Sequence, residues 1–276
     1  MTPTLQALVM GVVQGLTEFL PVSSSGHLII VPYLFGWTDP FISSLAFTVM
    51  IHFGTLAALL IYFARDWQRL VPAGLAALRD RSLAGNDDRR LAALIAAATV
   101  PAALAGLLLN DVVEERLRRV GLVATMLVVG GALLWLAERN GRRDRSISGL
   151  TFPIALAIGA AQAIALIPGI SRSGVSISAG LFAGLDRESA ARFSFLMATP
   201  ITALAGGYEF LKLLTGGSPG VEIVPLVVGV LSSYVAGLLA IAVLLRFLRS
   251  NPTTVFVVYR VALAALVAVV WLGLGR

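Results

Sequence analysis

Apolar runs long enough to cross a bilayer recur from one end of this 276-residue chain to the other, and two of them are broken by proline, serine and glycine. No other feature limits the fold as much. About 20 apolar residues are needed to span as a helix. Six segments meet that length, at roughly 41–63, 91–109, 120–138, 190–211, 223–245 and 254–274. Hydrocarbon offers backbone amides no partners, so spanning segments close their own hydrogen bonds as helices. Only 13% of the residues are charged, where a soluble domain carries roughly a quarter. The expected fold is therefore an all-α polytopic membrane protein, a single integral-membrane domain over residues 1–276.

The two broken stretches, about 5–36 and 150–185, begin as apolar helices and stop at Pro21 and Pro168. Each then runs through Ser and Gly before turning apolar again. Such backbone is tolerated at membrane depth where protein buries it or it lines a polar cavity. Both are read as re-entrant helical hairpins, added to the six transmembrane helices. A shift of 148 residues lays Gly11 on Gly159, Gln14 on Gln162, Ser23 on Ser171, Ser25 on Ser173, Gly26 on Gly174 and Phe47 on Phe195. With the hairpins entering from opposite sides, this predicts an inverted-topology repeat, approximately 1–110 and 150–250. Repeats of that kind place broken helices at a shared site near the midplane.

Charge sets the expected orientation. The alternate loops 64–90, 139–149, 186–192 and 246–252 hold 14 Arg residues, against five basic residues (Arg116, Arg118, Arg119, Lys212 and Arg276) in the others. The positive-inside rule puts the first set in the cytoplasm and the C-terminus outside. The net charge of +6 is thereby a matter of topology and implies no nucleic acid. Absence of cysteine excludes disulfides, thiolate metal sites and a Cys nucleophile. The opening stretch MTPTLQALVMGVVQG lacks a basic n-region and a clear cleavage site, and is read as retained structure.

Two clusters carry chemistry. The first is Gln14, Glu18, Ser23, Ser24, Ser25 and His27. Gln14 and Glu18 are four apart and share a helix face, and a carboxylate at membrane depth needs a partner such as a cation. The blander alternatives are an interhelical Gln–Glu hydrogen bond, serines that cap or back-bond to helix carbonyls, and a satisfied core histidine. The second is PGISRSGVS, Pro168 to Ser176, centred on Arg172. Backbone from Gly169 to Ser173 can present N–H groups to an anion, and the arginine fork suits phosphate oxygens. The competing reading is an arginine that snorkels at a hairpin tip.

Together the clusters form a phosphate-handling inventory. Glu18 can hold a hard divalent cation with Gln14 as neutral oxygen ligand. The metal would bridge phosphate oxygens. A serine or a His-activated water can attack. Ser24, His27 and water all remain open as nucleophile. His52, inside a spanning segment, is left outside the catalytic set.

QGLTEFLPVSSSGH and PGISRSGVS resemble the two signature motifs of the undecaprenyl pyrophosphate phosphatases, the bacitracin-resistance family. The resemblance covers nearly the whole chain in length, hydropathy and motif spacing. It implies hydrolysis of a polyprenyl diphosphate carrier to the monophosphate, recycling it for peptidoglycan synthesis. It further implies a Mg²⁺- or Ca²⁺-dependent site in the bacterial inner membrane, open to the outer (periplasmic) face, and leaves a homodimer open. By that resemblance Gln14 and Glu18 are the metal ligands, and Glu18, Ser24, His27 and Arg172 are catalytic. Ser23, Ser25, Gly169, Ser171, Arg172, Ser173 and Ser176 are expected to bind substrate. Two positions depart from the pattern: Gln14 stands where many members have Glu, and Ser176 where the motif usually ends in Thr. A transporter or flippase of the same lipid is the main alternative, since broken helices and midplane polar groups also mark transporters. A phosphatidic-acid-type phosphatase needs a histidine after the Ser-Arg pair, and both histidines precede Arg172. A purely structural membrane protein would leave Glu18 and Arg172 without a purpose.

Overall fold

The computed structural model describes residues 1–84, 86–112, 117–216 and 222–274. Arg116 and Arg276 of the charge argument, and the Lys212 side chain, lie outside the described residues. The described residues form α1 (Pro3–Phe19), α2 (Ser24–Phe35), α3 (Leu45–Tyr62), α4 (Ala64–Asp80), α5 (Asp87–Val112) and α6 (Val120–Asn140). They continue as α7 (Phe152–Ala163), α8 (Arg172–Phe182), α9 (Arg187–Gly216), α10 (Ile223–Leu248) and α11 (Thr254–Leu274). An isolated bridge between Arg145 and Leu185 is the sole extended pairing among them.

Four helices, α5, α6, α10 and α11, are long and apolar enough to cross a membrane. Helix α3 joins α4 through an 82° bend and together they make a fifth candidate. The stretch 64–80, expected as loop, is instead helical because it is amphipathic. Leu70, Ala73 and Ala77 are buried on one face, while Arg65, Arg69 and Arg79 belong to the other periodicity. Helix α9, expected as a span, is not among the apolar candidates. Residues 190–198 are buried inside the protein apart from Arg192, so polar Ser194 and Thr199 need not face lipid.

Helices pack where small residues let backbones close in, as lipid-immersed helices generally do. A Cβ on Gly11 of α1 would stand 2.3 Å from the Gly229 carbonyl of α10, and one on Gly159 of α7 would stand 2.1 Å from the Ala98 carbonyl of α5. These glycines are 148 positions apart, so α1 on α10 and α7 on α5 repeat one contact.

At one end of the molecule the four basic stretches are tied together. Arg90 donates to the Leu150 carbonyl. Glu138 accepts from Arg143 at 2.8 Å, from Arg187, and from the Thr253 hydroxyl at 2.9 Å. Arg192 reaches Asp66 at 2.7 Å and Arg249 reaches Glu188 at 2.8 Å.

Candidate active site

Both helix breaks fall where the prolines put them. α1 ends at Phe19, before Pro21, and α2 restarts at Ser24. α7 passes into a single 3₁₀ turn, Ile164–Leu166, before Pro168, and α8 restarts at Arg172. Each restart uses the same cap. Ser23 accepts from the Gly26 amide at 3.3 Å, and Ser171 accepts from the Gly174 amide at 3.1 Å. Those amides are among the orphan donors of a helix start, and a serine hydroxyl at the N-cap satisfies them.

A cavity of about 280 Å³ opens between the two breaks. Glu18, Ser24, Ser25, Ser171 and Arg172 line it, with His52, Gln162, Thr202 and Glu209. The Glu18 carboxylate is the hub. It accepts from the Ser24 hydroxyl at 2.5 Å, from the Gln14 amide at 3.1 Å and from an Arg172 guanidinium nitrogen. Arg172 also donates to Thr202 at 2.7 Å. A carboxylate whose side chain is 4% exposed is tolerable because it meets both an opposite charge and hydrogen-bond donors.

Not every expected residue reaches the cavity. Ser23, Gly169, Ser173 and Ser176 instead build the breaks. The Gly169 amide donates to Ser23 Oγ at 3.2 Å, Ser173 donates to the Leu20 carbonyl at 3.0 Å, and Ser176 bonds back to the Arg172 carbonyl. The expected anion nest is thus partly consumed by the protein's own contacts. His27 is buried away from the cavity with both ring nitrogens engaged. Its Nδ1 donates to the Ser23 carbonyl at 2.7 Å, so its Nε2 accepts from the Tyr259 hydroxyl at 2.7 Å. His52, left aside on sequence grounds, is the imidazole that lines the cavity. Its Nδ1 donates to the Thr48 carbonyl at 2.7 Å, which turns Nε2 toward Glu18 Oε2 at 3.9 Å.

Gln14 has a buried Oε1 with no hydrogen-bond partner among the described residues. It does not line the cavity, and it turns its Nε2 rather than its Oε1 to Glu18. At the cavity itself the Glu18 carboxylate and the Ser24 hydroxyl are the hard oxygen donors, and they fit Mg²⁺ or Ca²⁺ only with phosphate oxygens and water completing the shell. Among the described residues no group of three or more His, Cys, Asp or Glu converges as a ready-made ligand set. Such a site would be weak without substrate.

Sequence reasoning also passed over Arg260 of α11, which is fully buried. Its Nε donates to the Leu127 carbonyl at 2.9 Å and its Nη1 to the Pro21 carbonyl at 3.2 Å. Its Nη2 donates to the carbonyls of Gly169 at 2.7 Å and Ile170 at 2.9 Å. One guanidinium thereby ties the two breaks to each other and to α6. It has no carboxylate partner among the described residues; carbonyl dipoles alone compensate its charge. The available signal was an arginine in the middle of an apolar run, a costly placement that asks for a reason.

The family model described as Bacitracin resistance protein BacA matches residues 7–266. A protein of Thermomicrobium roseum named undecaprenyl-diphosphatase is 46% identical over 272 residues, covering 96% of this chain and 97% of its own. Proteins of the same name from Desulforudis audaxviator and Gemmatimonas aurantiaca are 44% and 45% identical, over 98% and 95% of this chain and 98% and 96% of their own.

Proposed function

The chain belongs to the bacitracin resistance protein BacA family, and we propose that it does what its relatives' name states, hydrolysing undecaprenyl diphosphate to undecaprenyl phosphate and inorganic phosphate. The single observation that carries this is Glu18 joined to both Ser24 and Arg172 at one cavity. It sets an acceptor for a proton, a hydroxyl and a phosphate-binding fork on one another. Ser24 Oγ is the nucleophile. It attacks the terminal phosphorus while its proton passes to Glu18. The bond from that phosphorus to the bridging oxygen breaks, and the lipid monophosphate leaves with the electron pair and takes the proton from Glu18. Water then attacks the phosphoserine, giving its proton to Glu18, which returns it to Ser24 Oγ as inorganic phosphate leaves.

Arg172 holds the oxygens on which charge develops. A guanidinium has five N–H donors, of which the hydrogen bonds to Thr202 and Glu18 occupy two. Its side chain is 23% exposed toward the cavity. Glu18 would be the main ligand of a divalent cation, with Gln14 as the neutral second ligand. When bound, the cation supplies Lewis-acid stabilisation of phosphate charge.

The protein sits in the inner membrane as an inverted repeat with α1–α2 and α7–α8 as re-entrant hairpins. Equivalent helix restarts, equal caps and matching glycine contacts at a 148-residue offset support that reading. The end that gathers the basic stretches faces the cytoplasm. At 1.5 Å per helical residue, Thr202 stands roughly 15 Å along α9 from Arg192, about half of a hydrocarbon core of roughly 30 Å, which supports a cavity near the midplane; its mouth opens to the outer face.

Phosphate release from undecaprenyl diphosphate by the purified protein tests this function. Turnover should depend on added Mg²⁺ or Ca²⁺ and vanish in Arg172→Ala protein that still folds. Full turnover in excess chelator would remove the cation from the scheme. Lipid movement across vesicles without phosphate release would replace hydrolysis by transport.

A further inference from the structure

We infer that Gln162 is a diphosphate-binding residue, its side-chain amide donating to a phosphate oxygen of the substrate. The inference rests on the phosphatase reading above and adds to it a contact on the second half of the repeat.

Gln162 lies in the last turn of α7, is 3% exposed and lines the same cavity as Glu18, Ser24 and Arg172. Neither its Nε2 nor its Oε1 has a hydrogen-bond partner among the described residues. A buried primary amide left unpaired costs more than an apolar side chain of the same shape, so such a group asks for a partner from elsewhere. Its counterpart 148 positions earlier shows what is missing. Gln14 donates to Glu18 at 3.1 Å, whereas the position equivalent to Glu18 in the second half is Leu166. The amide is therefore retained where the carboxylate that would accept from it is absent.

The substrate supplies the acceptor. Phosphate oxygens accept hydrogen bonds, so Nε2 is the atom that meets them. A diphosphate carries two phosphoryl groups. The Glu18–Ser24–Arg172 cluster serves the one that reacts, and Gln162, on the helix preceding the Arg172 break, grips the other. An uncharged amide orients that group without the charge that would hold the monophosphate product.

The test is steady-state kinetics and melting of Gln162→Met and Gln162→Glu proteins, with farnesyl diphosphate as the soluble probe. Methionine keeps the length and removes the amide. We expect KM to rise tenfold or more while the melting temperature stays level or rises, because an unpaired buried polar group has been removed. Glutamate sets a negative charge against the diphosphate and should raise KM further. A residue that merely supports the fold would give the reverse: a lower melting temperature with KM unchanged. That result, wild-type kinetics in Gln162→Met, or failure of both variants to fold, overturns the assignment. Wild-type protein that releases no phosphate from either farnesyl or undecaprenyl diphosphate would instead remove the phosphatase reading on which the assignment stands.

Discussion

Ser23 and Ser171, 148 positions apart, hold the same uncommon backbone, with φ of 78° and 77°, and each caps the helix that follows it. Each hydroxyl also lies beside the serine two residues on, at 3.3 Å for Ser25 and 3.2 Å for Ser173. The chain has thus built one strained turn twice, at the two places where helices stop inside the protein. Positive φ strains any residue with a Cβ by about 1 to 3 kcal/mol.

That strain can be separated from the cap. Ser171→Gly loses the hydroxyl and relieves the backbone, whereas Ser171→Ala loses the hydroxyl and keeps the strain. The glycine variant should melt above the alanine variant, by about 2 to 4 °C per kcal/mol of strain removed. Thermal unfolding in detergent measures it, and an alanine variant that melts higher would place the strain elsewhere.

The breaks were legible because Pro21 and Pro168 stand beside runs of Ser and Gly; proline alone would not have marked them, since Pro32, Pro72, Pro101 and Pro200 lie inside helices. Glu18 and Arg172 were legible because charge inside an apolar run is expensive. What was not legible depends on direction and on distant neighbours. His27 turns away from the cavity because Tyr259, 232 residues later, meets its Nε2. His52 turns in because Thr48 fixes its other nitrogen. Helix α4 was hidden in a stretch read for its charges alone, although Leu70, Ala73 and Ala77 carry a buried face.

The cavity assigns different costs to the two side chains among the candidate nucleophiles. Ser24→Ala should lower turnover at least 10³-fold, with substrate binding largely retained, since only the attacking oxygen is removed. His27→Gln should cost less than Ser24→Ala, because His27 supports the Ser23 turn and does not face the cavity. Trapping of ³²P on Ser24 after an acid quench tests the covalent step directly. A larger loss in His27→Gln than in Ser24→Ala would return the histidine to the reaction.

Arg260 should matter most for integrity. Arg260→Met strands the carbonyls of Pro21, Gly169 and Ile170, which lie outside the helices, at about 1 to 3 kcal/mol for each left unpaired. Arg260→Lys keeps the charge and, with three donors, satisfies only part of the set that Arg260 engages, so melting temperatures should rank wild type, lysine, methionine. Gly130→Ala should act in the same direction, since its Cβ would stand 2.2 Å from the Arg260 guanidinium. A methionine variant as stable as wild type would mean the carbonyls find other partners.

Orientation can be read with single cysteines on a chain that has none. A cysteine at Arg142, in the basic end tied together by Glu138, should resist impermeant maleimides in intact cells and react after permeabilisation. Labelling from outside would invert the proposed topology and turn the cavity toward the cytoplasm.

Arg172 tests whether the fork or only its charge is used. In the resting site it bridges Glu18 and Thr202, so its position is set by groups on α1 and α9 before substrate arrives. Arg172→Lys keeps the charge and loses the planar pair of donors. If that pair meets phosphate oxygens as charge develops on them, kcat should fall on the order of 10² to 10³-fold, the usual cost of one oriented donor, with little change in KM. An arginine that only steadied the break would behave otherwise: Arg172→Lys would leave kinetics near wild type, and Arg172→Ala would lower melting temperature and activity together. Measuring kcat, KM and melting temperature for both variants separates the two roles, and near-wild-type turnover in the lysine variant would end the bidentate one.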